Sequence, residues 1–226
     1  MKKIIFLFII LGLVGCETVP PSTGPTLTSL TQGIPAARHR VEVGETLWKI
    51  SKIYGVDIDD IIRLNHLAED STVEVGQIIL IPGQAGAGAI HANIQNAPVI
   101  SAGDDFIWPV RGRVISGFGS TYHNLINKGI NIQTSFGADV FATRSGRVVF
   151  YSNNFGNYSK TIIIDHGDGL RSVYSRFSEI YVKPGDNVQR GALLGRVGSS
   201  IRDKNNYLHF EIRKGAVSQN PLFFLS

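Results

Sequence analysis

The side chains of this 226-residue chain best suited to metal or nucleophilic chemistry are one cysteine and six histidines. Cysteine occurs once, at Cys16, so no disulfide can close within the chain. The imidazoles set among strand-like residues are His166, in Ile164-Asp165-His166-Gly167-Asp168-Gly169, and His209, in Leu208-His209-Phe210-Glu211-Ile212-Arg213. A third, His123, precedes Asn127 in a more polar stretch. A hydrolytic zinc centre needs about three protein ligands, usually imidazoles and a carboxylate, with a water activated at the remaining position.

The elements that must position these groups begin at the N-terminus. Lys2 and Lys3 precede the apolar run Ile4 to Leu13, which is too short to span a bilayer as a mature helix. Leu13-Val14-Gly15-Cys16 ends that run and resembles the bacterial lipobox. The resemblance implies a signal peptide over 1–15, cleavage before Cys16, lipidation of Cys16 and export. Multiple acyl chains give stable anchoring where one does not. Glu17 follows the anchor; an aspartate there is the inner-membrane retention signal in enteric bacteria, so glutamate favours the outer membrane.

Two linkers follow from composition. Glu17 to Arg38 is rich in Pro, Thr, Ser and Gly, and Gly83 to Asp105 contains Gly83-Gln84-Ala85-Gly86-Ala87-Gly88. Neither offers enough apolar surface to offset the ordering of its backbone, so a tether (16–38) and a second linker (83–105) are expected around a small module. The net charge of +4 is unevenly spread. His39 to Pro82 has four Lys/Arg against eight Asp/Glu, whereas Phe106 to Ser226 has fifteen against seven. A basic domain outside the cytoplasm fits an acidic protein or an anionic envelope polymer rather than nucleic acid, or else a merely solvated surface.

In 39–82, Val41 and Val43 alternate with Arg40 and Glu42 as a short strand would. Leu47, Ile50, Ser51 and Tyr54 share one helical face, and Gly55 suits the left-handed residue that ends the helix. Asp57 suits the cap of a second helix with Asp60 near its positive end, and Ile78 to Ile81 reads as a closing strand. This βααβ order resembles the LysM module. The carrying residues are Val43-Gly44-Glu45-Thr46-Leu47-Trp48-Lys49-Ile50, Leu64-Asn65 and Val75-Gly76-Gln77-Ile78-Ile79-Leu80-Ile81-Pro82. The resemblance implies a peptidoglycan-binding role, with N-acetylglucosamine-containing glycan held between the two strand–helix loops by Gly44, Glu45, Thr46, Leu47, Trp48 and Gly76. Leu47 and Ile50 also fit a plain core role, and Trp48 fits either.

From Phe106 the chain reads as closely spaced strands: Gly146 to Tyr151, Lys160 to Asp165, Leu170 to Tyr174, Ala192 to Val197 and Leu208 to Arg213. The expected fold is a mostly β, antiparallel domain with a twisted main sheet. Lys128-Gly129-Ile130-Asn131-Ile132, Gly146-Arg147-Val148-Val149, the His166 segment, Val182-Lys183-Pro184-Gly185-Asp186-Asn187-Val188 and the His209 segment follow in order. Together they resemble the lysostaphin-type (LytM) zinc endopeptidase domain, over 106–226. Active members hold zinc through an H-x-x-x-D motif and the second His of H-x-H. By that resemblance Asn127 and Asn131 stand at the first His and Asp positions, Arg176 at an assisting His, Tyr207 at the first H-x-H position, and His209 survives at the second. One imidazole and two neutral amides are a poor donor set for the ion, and an arginine stays protonated and cannot serve as a base. No metal, no cofactor and no catalysis are therefore expected.

Lipobox, one LysM module and a degenerate LytM domain together resemble the NlpD-type division lipoproteins. That resemblance implies a non-enzymatic activator of an N-acetylmuramoyl-L-alanine amidase, lipid-anchored in the envelope. A groove lined by Asn127, Asn131, Arg176, Tyr207 and His209 would meet the partner enzyme. The alternatives are a peptidoglycan-binding scaffold and a metal-dependent endopeptidase with an unusual site.

Overall fold

The computed structural model describes residues 36–68, 72–83, 105–122, 124–199 and 205–226. The expectations for Cys16, for His123 and for most of both linkers lie outside these residues. Among the described residues no helix is long and apolar enough to cross a membrane.

The small module runs β1 (Ala36–Arg40), α1 (Leu47–Tyr54), α2 (Ile58–Leu64), β2 (Ile78–Pro82), with β1 and β2 antiparallel. Its order is the one read from the sequence, but the first strand lies earlier than Val41–Val43. Ala36 to Arg40 pair with Pro82 to Ile78, so Ala36–Arg38 belong to the sheet rather than to a tether. Val41 instead closes the ladder against Gln77, and Val43 projects into solvent. Thr46 caps α1 by accepting from the Lys49 amide at 3.2 Å, and Gly55 ends it in the left-handed region at φ 63°. Asp57 caps α2 through the Asp59 amide. Asn65 ties α2 to β2: its carboxamide accepts from Leu80 N at 2.7 Å and donates to Leu80 O at 2.7 Å. That pair of hydrogen bonds reproduces a strand pairing with one side chain and gives Asn65 of the Leu64-Asn65 motif its structural role.

The larger domain contains β3 (Arg113–Ser116), β4 (Thr121–Tyr122), β5 (Leu125–Ile126), β6 (Ile130–Gln133), β7 (Asp139–Phe141), β8 (Gly146–Ser152), β9 (Thr161–Asp165) and β10 (Leu170–Ser175). These are followed by β11 (Phe177–Ile180), β12 (Asn187–Val188), β13 (Leu193–Val197), β14 (Tyr207–Lys214) and β15 (Val217–Gln219). The main antiparallel sheet has the order β12-β8-β9-β10-β14-β6-β3, with β15 added beside β14. A second sheet, β11-β13-β7, contributes Val140, Leu194 and Val197 to the core, where Ile130, Ile132, Ile162, Ile164, Leu208, Phe210 and Ile212 supply the main sheet's inner face. Strand β14 is central, and its first six residues are all buried.

A buried polar chain stiffens the end of the sheet nearest Leu170. His166 Nδ1 lies 2.8 Å from the Ser145 carbonyl and Nε2 2.9 Å from Ser172 Oγ. Ser172 in turn lies 3.0 Å from the Tyr174 hydroxyl, which accepts from the Thr143 amide at 2.9 Å. Burial lowers the pKa of His166, and the neighbouring Arg144 charge acts in the same direction, so the ring is neutral in the fold. The unfolded chain then binds more protons below the ordinary imidazole value of about 6.5, and stability falls as pH drops through that value. Thermal melts between about pH 7 and pH 5 should show this loss, and His166→Gln, which cannot titrate, should show a shallower slope.

Candidate functional site

Strand register assembles the site. In β14, His209 faces Asn131 of β6 on one side and Ser175 of β10 on the other, so three strands present one row across the sheet. Gly129 leads into β6 where no side chain fits: a Cβ there would lie 2.1 Å from the Phe210 carbonyl and 2.9 Å from Glu211 Cγ. That close approach sets where Asn127 and Asn131 fall on either side of it.

The structure joins the expected residues in two pairs and leaves one apart. His209 Nδ1 lies 2.8 Å from Asn131 Oδ1. The Arg176 guanidinium sits 4.5 Å above the Tyr207 ring, within cation–π range. Arg176 takes φ 72°, uncommon for a non-glycine residue, and is held there by its amide donating to the Tyr158 and Lys160 carbonyls and its carbonyl accepting from Gly198. Asn127 belongs to the neighbouring β4–β5 hairpin, where Nδ2 donates to Ser116 Oγ at 2.9 Å and Oδ1 accepts from the Gly129 amide. Asn127, Asn131 and Arg176 are half-buried, whereas Tyr207 and His209 form a nearly closed floor, His209 being 7 % exposed.

Sequence reasoning missed Glu211 and Tyr158. Glu211 is 2 % exposed and fully bonded: its Oε1 lies 3.1 Å from His209 Nε2 and accepts from the Tyr158 hydroxyl at 3.0 Å, and its Oε2 accepts from Arg213 Nη1 at 2.7 Å. Burial alone would push this carboxyl up, but the His209, Arg213 and Tyr158 contacts outweigh it and hold the group below the ordinary carboxylate value. The same burial, with the Glu211 charge, pushes the Tyr158 phenol up to about 12, so it remains a donor at neutral pH. Tyr158 also packs edge-on to His209, with ring centroids 5.1 Å apart. The two-residue alternation of a strand puts Tyr207, His209, Glu211 and Arg213 on one face, which is the signal that could have found Glu211. Nothing in the sequence marks Tyr158, which lies in a short 3-10 turn (Gly156–Tyr158).

As a donor set for a metal, the row is already committed. Both His209 nitrogens face protein partners, both Glu211 oxygens are held, and the Asn127 amide is spent on Ser116 and Gly129. No group of three or more His, Cys, Asp or Glu able to hold a metal ion occurs among the described residues.

The small module's loops hold the other candidates. Glu45 accepts from the Glu42 amide at 2.8 Å and bonds His39 at 2.7 Å, and Thr46 serves as the helix cap. Leu47 is fully buried and Trp48 is 3 % exposed, so their side chains belong to the packing in this arrangement and not to an open sugar face. Gly44 and Gly76, both at positive φ, leave backbone accessible at the loop ends.

Removing a partner from a buried ion pair leaves the other charges uncompensated. Glu211→Ala should therefore cost about 3 kcal/mol, read by denaturant unfolding, and should leave the small module folded.

Residues 39–82 match the LysM domain and residues 125–221 match Peptidase family M23. The chain is 26% identical over 208 residues to an uncharacterized lipoprotein, YgeR, of Escherichia coli K12, covering 83% of this chain and 80% of that protein. It is 38% identical over 118 residues to the murein hydrolase activator NlpD of the same organism, covering 52% of this chain and 30% of the activator. Among solved structures, a chain of the SpoIIQ–SpoIIIAH pore-forming complex superimposes with a TM-score of 0.50 at 30% identity, covering 55% of this chain and 93% of that one. The chain thus joins a LysM domain to a domain of peptidase family M23, an architecture consistent with an NlpD-type lipoprotein.

Proposed function

We propose that this protein is a non-catalytic activator of a murein hydrolase, an N-acetylmuramoyl-L-alanine amidase, working on peptidoglycan during septal wall splitting. The observation that carries the reading is the saturated row at the centre of the M23 domain. Where an active member would present zinc ligands, Asn131 and Glu211 occupy both nitrogens of His209, and Arg176 replaces a proton-accepting imidazole. These residues do not fit a zinc ion, and an arginine cannot take a proton from water. A row that holds itself together without metal is suited to presenting a fixed surface.

Arg176 is half-buried over Tyr207, and the β4–β5 hairpin that leads to Asn127 exposes the apolar side chains of Leu125 and Ile126. A basic group and an exposed apolar hairpin in one domain suit an acidic, amphipathic segment of a partner. Activation is then a population shift: the protein stabilises the open amidase over its blocked form. In this reading 1–15 is the signal peptide, Cys16 carries the lipid, and Glu17 directs the mature protein to the outer membrane facing the periplasm. Residues 39–82 bind peptidoglycan through backbone groups near Gly44, Glu45, Thr46 and Gly76, and 106–226 meet the amidase.

The test is dye release from labelled sacculi by the full chain in detergent, alone and with the host's amidases. Release is expected only in combination. Arg176→Glu should abolish that release while the melting curve stays that of the parent protein. Full activation by the folded variant, or release by the protein alone, would overturn the proposal.

A further inference from the structure

We infer that the LysM module is latched to the M23 domain by surface charge, and that this latch hides Trp48, the aromatic ring with which the module would otherwise meet a glycan. The inference rests on the glycan-binding reading above and adds its regulation.

The contact between the two is built around one indole. Trp48, on the first turn of α1, meets Phe106 edge-on at 5.4 Å, and the Arg144 guanidinium lies 5.1 Å from the indole and 5.3 Å from the Phe106 ring. Phe106 is itself fixed against His166 and Phe224. Around this centre the attachments are ionic: Lys214 reaches Asp57 at 2.7 Å and Asp59 at 3.3 Å, Lys49 reaches Asp105 at 3.1 Å, and Lys52 approaches Asp168 at 4.0 Å. The ion pairs run in both directions: Lys214 of the M23 domain meets two carboxylates of the module, while Lys49 and Lys52 of the module face Asp105 and Asp168.

Three features make the contact reversible rather than a permanent core. The Lys214–Asp57 pair is almost half exposed, so water and salt screen it. The Trp48 indole nitrogen and Asp105 Oδ1 are buried with no hydrogen-bond partner, a cost the docked state bears and the released state does not. A cleft of about 370 Å³ penetrates the contact, with Lys52, Val56 and Asp57 on one side and Asp168, Leu170 and Lys214 on the other.

What the latch covers is specific. Among the described residues of the module, the exposed large apolar side chains are Val43, Val75 and Ile78, and none is aromatic. Trp48 follows directly on the Gly44–Thr46 turn, and an indole offers both an apolar face for a sugar ring and a donor for its oxygens. In the docked form that ring is spent on Phe106 and Arg144. An amino-sugar chain and the M23 domain therefore compete for the same side chain, and glycan binding releases the module.

The test uses the full chain in detergent with Trp108→Phe, which leaves Trp48 as the only indole of two, and tetra-N-acetylchitotetraose as the probe. Lys214→Glu places a negative charge against Asp57 and Asp59. Its expected effects are a red shift of Trp48 emission and, if about a tenth of the parent molecules are open, a gain of about tenfold in affinity for the probe. Adding Asp57→Asn, which keeps a capping side chain, and Asp59→Lys should restore both values to those of the parent. A red shift with unchanged affinity would show that docking does not mask the sugar site and would overturn the latch alone. Unchanged emission in Lys214→Glu and in high salt would show that charge does not hold the modules together. Absence of probe binding by every variant would overturn the glycan reading and the latch with it.

Discussion

Strand β14 is paired on both sides and buried over most of its length, yet it carries an imidazole and a carboxylate among its inward groups. A buried polar group without a partner is costly, so the structure around this strand is organised to satisfy two residues. Asn131 comes from one neighbouring strand, Tyr158 from a turn beyond the other, and Arg213 from the same face of β14 itself. The left-handed backbone of Arg176 then follows, since its amide is held by the turn that delivers Tyr158. The row is thus held together by hydrogen bonds among its own side chains, which fix its shape.

The same strand separates two surfaces. Its register with β10 runs from Ser175 opposite His209 to Leu170 opposite Lys214. Five residues of extended chain put the polar row and the LysM contact roughly 17 Å apart along one rigid ladder. The Lys214 contact that holds the module is therefore made at the other end of β14 from the polar row.

Much of the fold was legible in the residues. Strands such as Leu170–Ser175 and Tyr207–Lys214 declare themselves by composition and spacing, and Gly55 and Asp57 mark their helix ends in the positions that the backbone requires. The failures have physical causes. Ala36 and Ala37 have little strand preference and are recruited by pairing with Pro82 and Ile81, a long-range choice that local pattern cannot reveal. The burial of Trp48 depends on Phe106 and Arg144, which lie far away in sequence. Of the site, Asn131, Tyr207 and His209 are singled out by the resemblance to the LytM motifs, whereas Tyr158 reaches Glu211 only through folding.

The two sides of the polar row differ in how firmly they are tied down. His209 lies on a strand bonded along both edges, while Asn127 lies at the end of a hairpin whose β4 and β5 are two residues each. Amide hydrogens in β14 will exchange with solvent only through large-scale opening, whereas those of the hairpin can exchange through small local excursions. A molecule arriving here meets one wall that keeps its shape and one that can be remodelled around it, so recognition is referenced to the first and adjusted by the second.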